Sequence, residues 1–586
     1  MKTHSISIVG IGYVGLCTAI AFASRGFKVL ASDIDKNKVA LINKGKAPIH
    51  EPNINEQLQK VVKNKRLKCI LNRQEAVLNT DITFITVGTP SKPDGSINIQ
   101  YIKKAAEEIG EALSKKDTYH LVVVKSTVVP GTSEKIVKPT LEKHSRKHCG
   151  KDFGLCVNPE FLREGSALQD TLHPDRVIIG EYDKKSGVTL QALYRDFYGE
   201  KTPPIIRTNP PTAELTKYSS NAFLATKISF MNTIANVCEK IPSVDVTTIA
   251  KGMGLDRRIG QLFLNAGLGY GGSCFPKDVK ALIAYSKNLG CNPELLQAVE
   301  NVNETQPYKA IQLCKSFLGN LEGKKIAILG LAFKPDTDDM REAKSIPIIN
   351  QLLKEGAKIT AYDPAAIPNA KSIFKNKIRY VSSSVECLRE ADCCILITEW
   401  EEFKRLKPEN FISRMRNPIV IDGRRIYDPR EFSRKLKYVA IGLGSKQIQI
   451  EPDEGVWINP ALAVNVIVED KGMLLLVKRR FEPFKGLWSL PGGYVEYGET
   501  VENAAKREIK EECSLDIEPS RIVGIYSNPN RHPWKHVIAV CYAAHVVGGE
   551  IKAGSQEENA KFFKINNIPN RLAFDHAKMI RDYTNR

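Results

Sequence analysis

Residues 264–278, LNAGLGYGGSCFPKD, hold an unusual set of chemical groups. Four glycines (Gly267, Gly269, Gly271, Gly272) lead into Ser273, the thiol of Cys274 and the charged pair Lys277 and Asp278. Glycine permits positive φ and close approach to another molecule, so this loop is expected to close its backbone against a ligand. Its thiol would be presented for nucleophilic attack, with Lys277 biasing its ionisation and Asp278 placed as a proton acceptor. Taken alone, the pattern suits a buried structural cysteine beside a tight turn better than a nucleophile, and the surrounding sequence has to overturn that. Glu160 and Glu164, in LCVNPEFLREG, are four apart. They either share a helix face or, in a loop after a strand, converge on a ligand. Lys217 and Asn221 are also four apart, early in an apolar-periodic stretch (211–241) that reads as one helix long enough to link two domains.

The elements that must position these groups read as α/β. SISIVGIGYVG is a strand running into Gly10-x-Gly12-x-x-Gly15, followed by a helix and a second strand ending at Asp33. In this βαβ pattern the turn at Gly10, Gly12, Tyr13, Val14 and Gly15 takes a pyrophosphate at the helix N-terminus, and the acid bonds a ribose hydroxyl. Asp33 would repel a 2′-phosphate, which favours NAD over NADP. Later strands end in small polar residues, among them Thr86 and Thr89, then Lys125, Ser126 and Thr127. From 321 onward strand–helix alternation resumes without GxGxxG, implying a second parallel sheet that holds a different phosphorylated ligand or merely repeats the fold.

The chain has 586 residues, enough for three or four domains. No apolar run approaches the ~20 residues that span a bilayer, and the N-terminus enters a strand without a signal peptide. Thirteen cysteines without CxxC spacing suit reduced thiols in a cytoplasmic enzyme. Of the net charge of +19, residues from Val456 onward carry only +2, from 18 basic and 16 acidic side chains. The basic first part shows no basic run with interleaved aromatics, so phosphorylated small molecules are expected as partners, and neither nucleic acid nor membrane.

VGIGYVG, SDID, FITVGTP, KSTVVPGT, NPEFLREG, PDRVIIG, AELTKYSSNAFLATKISF, LNAGLGYGGSCFPKD, GLAFKPDTDDMREA and VIDGRRIYDP together resemble, in order and spacing, the UDP-glucose/GDP-mannose 6-dehydrogenase family, over residues 1 to about 445. The resemblance implies a double oxidation of C6 of a nucleotide sugar by two NAD+. It implies that Cys274 is the nucleophile, passing through a thiohemiacetal and a thioester, and that Lys217 and Asn221 stabilise the oxyanion. Asp278 and Thr127 would hold a water and relay protons, and Glu164, with Glu160 beside it, would be the base for thioester hydrolysis. Lys277, Lys334, Arg341 and the loop at Gly271 would contact substrate, with Arg424 a weaker candidate. Arg258 would reach a neighbouring subunit's site, which implies a homodimer. The loop looks like the UDP-glucose branch. The GDP-mannose branch tends to carry Arg-Pro in place of Asn265-Ala266, and the N-acetylhexosamine branch GGHC in place of GGSC.

After a polar linker at 446–455, the spacing G-x5-E-x7-R-E-I-x-E-E runs from Gly493 through Glu499, Arg507, Glu508, Glu511 and Glu512, and resembles the Nudix box. Glu508, Glu511 and Glu512 fall at i, i+3 and i+4 on one helix face, where mutual repulsion calls for a hard cation, Mg2+ or Mn2+, bridging a diphosphate. Arg507 and Glu499 would pair to orient the helix. Ser514 replaces a glycine of the box, so a changed local turn is expected. The implied ligand is a nucleoside diphosphate derivative, such as ADP-ribose or a nucleotide sugar. A non-catalytic nucleotide-sensing module is the alternative.

The expected architecture is therefore two Rossmann-like domains with parallel sheets (1–205 and 306–445), a central helical and dimerisation region (206–305), and a Nudix α/β/α sandwich (456–586).

Overall fold

A computed structural model describes residues 4–444 and 460–585, apart from 482, 497, 534, 535, 555 and 556. The linker expected at 446–455 lies outside the described residues. The chain divides into two compact units, Met1–Gln447 and Ile448–Arg586. Among the described residues no helix is long and apolar enough to cross a membrane.

The first unit begins with eight strands: β1 (Ser5–Val9), β2 (Lys28–Ser32), β3 (Leu67–Ile70), β4 (Ile82–Ile85), β5 (His120–Val124), β6 (Phe153–Val157), β7 (Val177–Glu181) and β8 (Ile205–Thr208). They form one sheet in the order β3-β2-β1-β4-β5-β6-β7-β8. Neighbours are parallel except β6 and β7, which run antiparallel, so the sheet is not wholly parallel. β4, β5 and β6 are buried along their full length, as a sheet covered by helices on both faces requires.

The helix Pro210–Cys238 then runs for 29 residues. Asn209 caps it by accepting from the Thr212 amide, and Pro210 and Pro211 suit its first turn, where backbone N–H groups have no helical partner. Lys217 and Asn221 lie on its buried side. A second, six-stranded parallel sheet follows: β9 (Lys325–Leu329), β10 (Lys358–Tyr362), β11 (Arg379–Tyr380), β12 (Cys393–Leu396), β13 (Ile419–Asp422) and β14 (Lys437–Ala440). Its order is β11-β10-β9-β12-β13-β14.

The second unit has a mixed sheet of β15 (Ala461–Asp470), β16 (Met473–Arg479), β17 (Trp488–Ser489), β18 (Leu515–Tyr526), β19 (Val537–Gly549) and β20 (Glu557–Lys564). The helix Val501–Cys513 packs on one face through Ala504, Ala505 and Ile509. The helix His576–Thr584 covers the other through Met579 and Ile580, giving an α/β/α sandwich.

Candidate functional site

The first βα turn is built to receive a dinucleotide. Gly10 adopts φ +99°, and a Cβ there would lie 2.9 Å from the Val87 amide. A Cβ on Gly12 would meet nothing within 4 Å, so the turn leaves open space above it. Gly12 precedes the helix Tyr13–Ser24, whose N-terminus no side chain caps. Free N–H groups and the positive end of the helix dipole thus face that space, a fit for a pyrophosphate. Asp33 ends β2 half-buried; its carboxylate accepts from the Ile11 amide at 2.7 Å and the Asp35 amide at 3.0 Å. Thr89 donates to the Thr127 carbonyl at 2.8 Å. Tyr13 donates to the His50 carbonyl at 3.2 Å, and its hydroxyl is pushed up to about 12 by burial, with Glu164 among the nearby charges.

Cys274 is the N-cap of the helix Phe275–Asn288. That position ordinarily favours a thiolate. Here burial prevails and, aided by Glu160 and Asp278 against the opposing Lys217, pushes the thiol up to about 11. Lys277 does not bias the thiol as its position suggested: its Nζ is spent on Asp278 Oδ1 at 2.5 Å. The other Asp278 oxygen accepts from Asn221 at 2.6 Å. Lys217 is buried and sits 3.2 Å from Glu160 Oε1. Burial would discharge it, but Glu160 and Asp278 outweigh this and hold its pKa above the ordinary value.

Glu160 and Glu164 lie in an irregular loop and share no helix face, yet both reach the thiol's surroundings, Glu160 as a charge that raises it and Glu164 through Ser273. Glu160 holds Lys217. Glu164 accepts from Ser273 at 2.7 Å and from Arg341 at 3.2 Å, while Lys334 donates to its backbone carbonyl. Burial, then the charge of Asp339, raises Glu164 to about 7. A cavity of about 540 Å³ opens beside Glu160, Lys217 and Asn221. Another of about 1000 Å³ is walled by Ser273, Lys277 and Arg341.

The glycines do not all serve a ligand. Gly272 has φ +84°, and a Cβ on it would lie 2.7 Å from the Phe333 ring; a Cβ on Gly271 would strike the Glu342 backbone. These glycines let the loop close against the segment after β9, and the Gly272 amide donates to the Arg341 carbonyl at 2.9 Å. Arg424 donates to the Ile397 and Gly269 carbonyls at 2.6 and 3.2 Å. Arg258 stands 89% exposed, paired only with nearby Asp256 among the described residues.

Of two further buried neighbours, the sequence reading marks Lys125 only as one of the polar residues after a strand and misses Glu214. Lys125 donates to Asn158 at 2.8 Å and is lowered to about 8, chiefly by burial. Glu214, on the long helix, accepts the Gly131 and Ser133 amides at 2.6 and 2.9 Å, fixing the loop after Thr127. Lys125 is legible by its place just after β5, two residues before Thr127, whereas Glu214 carries no local signal.

In the second unit Arg507 donates to Glu499 at 2.9 Å and to Glu508 at 2.8 Å, the expected helix-orienting pair. A Cβ on Gly493 would run into the Glu508 carboxyl. Glu512 accepts from the Gly492 amide at 2.9 Å. Burial, then the charge of Glu557, raises Glu512 well above the ordinary carboxylate range. Glu557, which starts β20 and which no spacing rule picks out, shares a hydrogen bond with it. Glu511 stays 61% exposed. Helix geometry explains this: i+3 and i+4 lie about 100° apart around the axis, so only Glu508 and Glu512 turn inward. Among the described residues no three His, Cys, Asp or Glu side chains converge as a ready cage. The donors are nonetheless hard oxygens crowded enough to raise one another's pKa, which suits a divalent cation. Ser514 keeps a left-handed turn (φ 59°), so the changed turn expected there does not occur.

Paired Rossmann-like sheets around a buried thiol define a nucleotide-dependent dehydrogenase, carried on one chain with a Nudix-type unit. The chain belongs to the UDP-glucose/GDP-mannose dehydrogenase family: residues 4–198 match its NAD binding domain, 211–305 its central domain and 327–429 its UDP binding domain. Residues 459–583 match the NUDIX domain. UDP-glucose 6-dehydrogenase AglM of Haloferax volcanii is 44% identical over 427 residues, covering 73% of this chain and 98% of that protein. UDP-glucose 6-dehydrogenase TuaD of Bacillus subtilis is 38% identical, covering 80% and 99%. The structure of a UDP-glucose dehydrogenase from Pyrobaculum islandicum, at 38% identity, superposes with a TM-score of 0.70 over 76% of this chain and 98% of that one.

Proposed function

We propose that the first unit oxidises UDP-glucose at C6 to UDP-glucuronate in two stages, with Cys274 holding the sugar covalently between them. The observation that carries this is the arrangement of buried charge around one thiol: Lys217 on Glu160, Asn221 and Lys277 on Asp278, and Arg341 and Ser273 on Glu164. NAD+, cradled at Gly10–Gly15 and Asp33, supplies the hydride acceptor for each stage. Asp278 takes the hydroxyl proton in the first stage through a water held with Thr127. Lys217 and Asn221 face the oxyanion formed when sulfur bonds to the C6 aldehyde, and Glu164 is the base that activates water against the thioester. Lys334, Arg341 and Arg424 hold the nucleotide half. UDP-glucose is preferred because Asn265-Ala266 and Ser273 suit it and the relatives above bear that name. GDP-mannose and UDP-N-acetylhexosamines are the runners-up, decided by comparing kcat/KM.

A stripe of exposed apolar residues (Phe223, Phe230 and Val237 on the long helix, with Leu255 and Leu262 beyond it) supports a homodimer that carries Arg258 to the partner's site. Free cysteines throughout support a reducing, cytoplasmic setting. The test is full-length protein with UDP-glucose: two NADH per UDP-glucuronate are expected, and none from Cys274→Ser. A fully active Cys274→Ser would refute the nucleophile.

For the second unit we propose Mg2+- or Mn2+-dependent cleavage of a nucleoside diphosphate derivative, with Glu508 and Glu512 as inner ligands and Glu511 joining at the rim. A bound cation would neutralise the diphosphate and activate water. The Glu512–Glu557 contact favours a second reading, a nucleotide-sensing module. Full-length protein with Mg2+ and ADP-ribose, NADH or UDP-sugars separates them: binding without turnover would leave only the sensor.

A further inference from the structure

The thiol must lose its proton before sulfur can bond to carbon, and the carboxylates around it are not equally able to take that proton. Asp278 has one oxygen on Asn221 and the other on Lys277. Glu160 has one on Lys217 and the other on the Leu162 amide, at 2.6 Å. Glu164 alone of the three keeps a buried oxygen, Oε2, that no N–H or O–H donor reaches among the described residues, the carboxyl lying instead against Asp339. Between Glu164 and the thiol stands Ser273. Its Oγ donates to Glu164 Oε1 at 2.7 Å and lies 3.5 Å from Cys274 Sγ. A hydroxyl has one proton. Ser273 spends it on Glu164, so in the second contact the thiol is the donor. The chain therefore has a direction, from S–H to O–H to carboxylate.

We propose that Ser273 is a catalytic residue that relays the Cys274 proton to Glu164, on the reading of Cys274 as nucleophile and Glu164 as base given above. As the S–C6 bond forms, the thiol proton passes to Ser273 Oγ and the serine proton to Glu164. The carbonyl electron pair becomes the oxyanion facing Lys217 and Asn221. Loss of hydride to NAD+ leaves the thioester, and Glu164 releases its proton to solvent. In hydrolysis, water gives a proton to Glu164 as its oxygen bonds to C6. The C–S pair returns to sulfur, and Glu164 reprotonates it through Ser273. Burial pushes the thiol up to about 11, and burial with the charge of Asp339 raises Glu164 to about 7, so the transfer is uphill on its own and is drawn forward by formation of the S–C6 bond.

The test uses the full chain with NAD+ and the C6 aldehyde of the UDP-sugar supplied directly. Ser273→Ala should slow aldehyde oxidation about 100-fold and abolish its solvent deuterium isotope effect, while Ser273→Thr restores most of the rate and the effect. If Ser273→Ala keeps wild-type rate and isotope effect while Cys274→Ser is inactive, the relay is wrong and the nucleophile stands. If Cys274→Ser is active, the parent reading falls first.

Discussion

Around Cys274 the charges are matched from within the protein: Lys217 with Glu160, Lys277 with Asp278, Arg341 with Glu164. Around Gly493 they are not. Glu508, Glu512 and Glu557 face one another, and Arg507 is divided between Glu499 and Glu508. All three carboxyls titrate above the ordinary carboxylate range, with burial the leading cause. One centre is electrostatically complete before ligand arrives. The other stores repulsion that a cation would relieve. Preorganised charge suits a step in which an oxyanion develops on the substrate. Unrelieved charge suits a site whose metal arrives with, or just before, a diphosphate.

The sharpest way to break this contrast is to unmatch the first centre. Lys217→Ala leaves Glu160 as an uncompensated buried charge and removes the cation that faces the oxyanion. Turnover should fall by about 10²–10³, with a stability loss of about 3–5 kcal/mol. Adding Glu160→Gln should recover much of the stability and none of the turnover, read by calorimetry and NADH kinetics on one set of proteins. Recovery of both would mean that Lys217 is structural only.

The second centre should respond to metal where the first does not, and its stability should respond to metal and pH together. Its raised carboxyls bind protons that the unfolded chain has already released. The stability these three groups contribute in the metal-free unit is therefore fully present below about pH 4.3, the ordinary carboxylate value, and is lost as pH rises through the raised values. Mg2+ at 100 times its Kd should return about 2.7 kcal/mol at neutral pH, seen as a rise in that unit's Tm and nearly absent at pH 4. Glu512→Gln should raise the metal-free Tm and flatten both responses. A Tm indifferent to Mg2+ and pH would remove the basis of the contrast.

How far these centres could be read in advance depended on whether their geometry is local. Helix and turn spacing carried Lys217 with Asn221, Arg507 with Glu499, and the Gly10–Gly15 turn, because each lies within a few residues of its partner. Glu214, Asn158 and Glu557 were not legible, since a carboxylate or amide brought in from a distant strand or helix leaves no periodic trace. The glycines of 264–278 were legible as a close approach but not as to what approaches, because a protein ring such as Phe333 and a sugar ask the same of a backbone. Spacing alone did not show that Glu511 would stand more exposed than Glu508 and Glu512, because i+3 and i+4 diverge around the helix axis.

The two Rossmann sheets hold a smaller version of the same contrast, at the acid that ends the second strand of each. Asp363 accepts from the Leu331 and Ala332 amides at 2.7 and 3.0 Å, the Ala365 and Ala366 amides at 2.9 and 2.8 Å, and Trp400 Nε1 at 3.1 Å, and it is fully buried. Among the described residues Asp33 accepts only from Ile11 and Asp35, and it is half-buried. The same device is thus closed by protein in one sheet and left open for a ribose in the other. Asp33→Asn keeps one acceptor for the Ile11 amide while weakening its hold on a hydroxyl. It should raise the KM for NAD+ about 5- to 10-fold, the worth of roughly one hydrogen bond, with Tm almost unmoved. Asp363→Asn should do the reverse, lowering Tm by several degrees and leaving the NAD+ KM alone. If Asp33→Asn costs stability and spares KM, Asp33 is a second Asp363, and the first sheet holds its cofactor some other way.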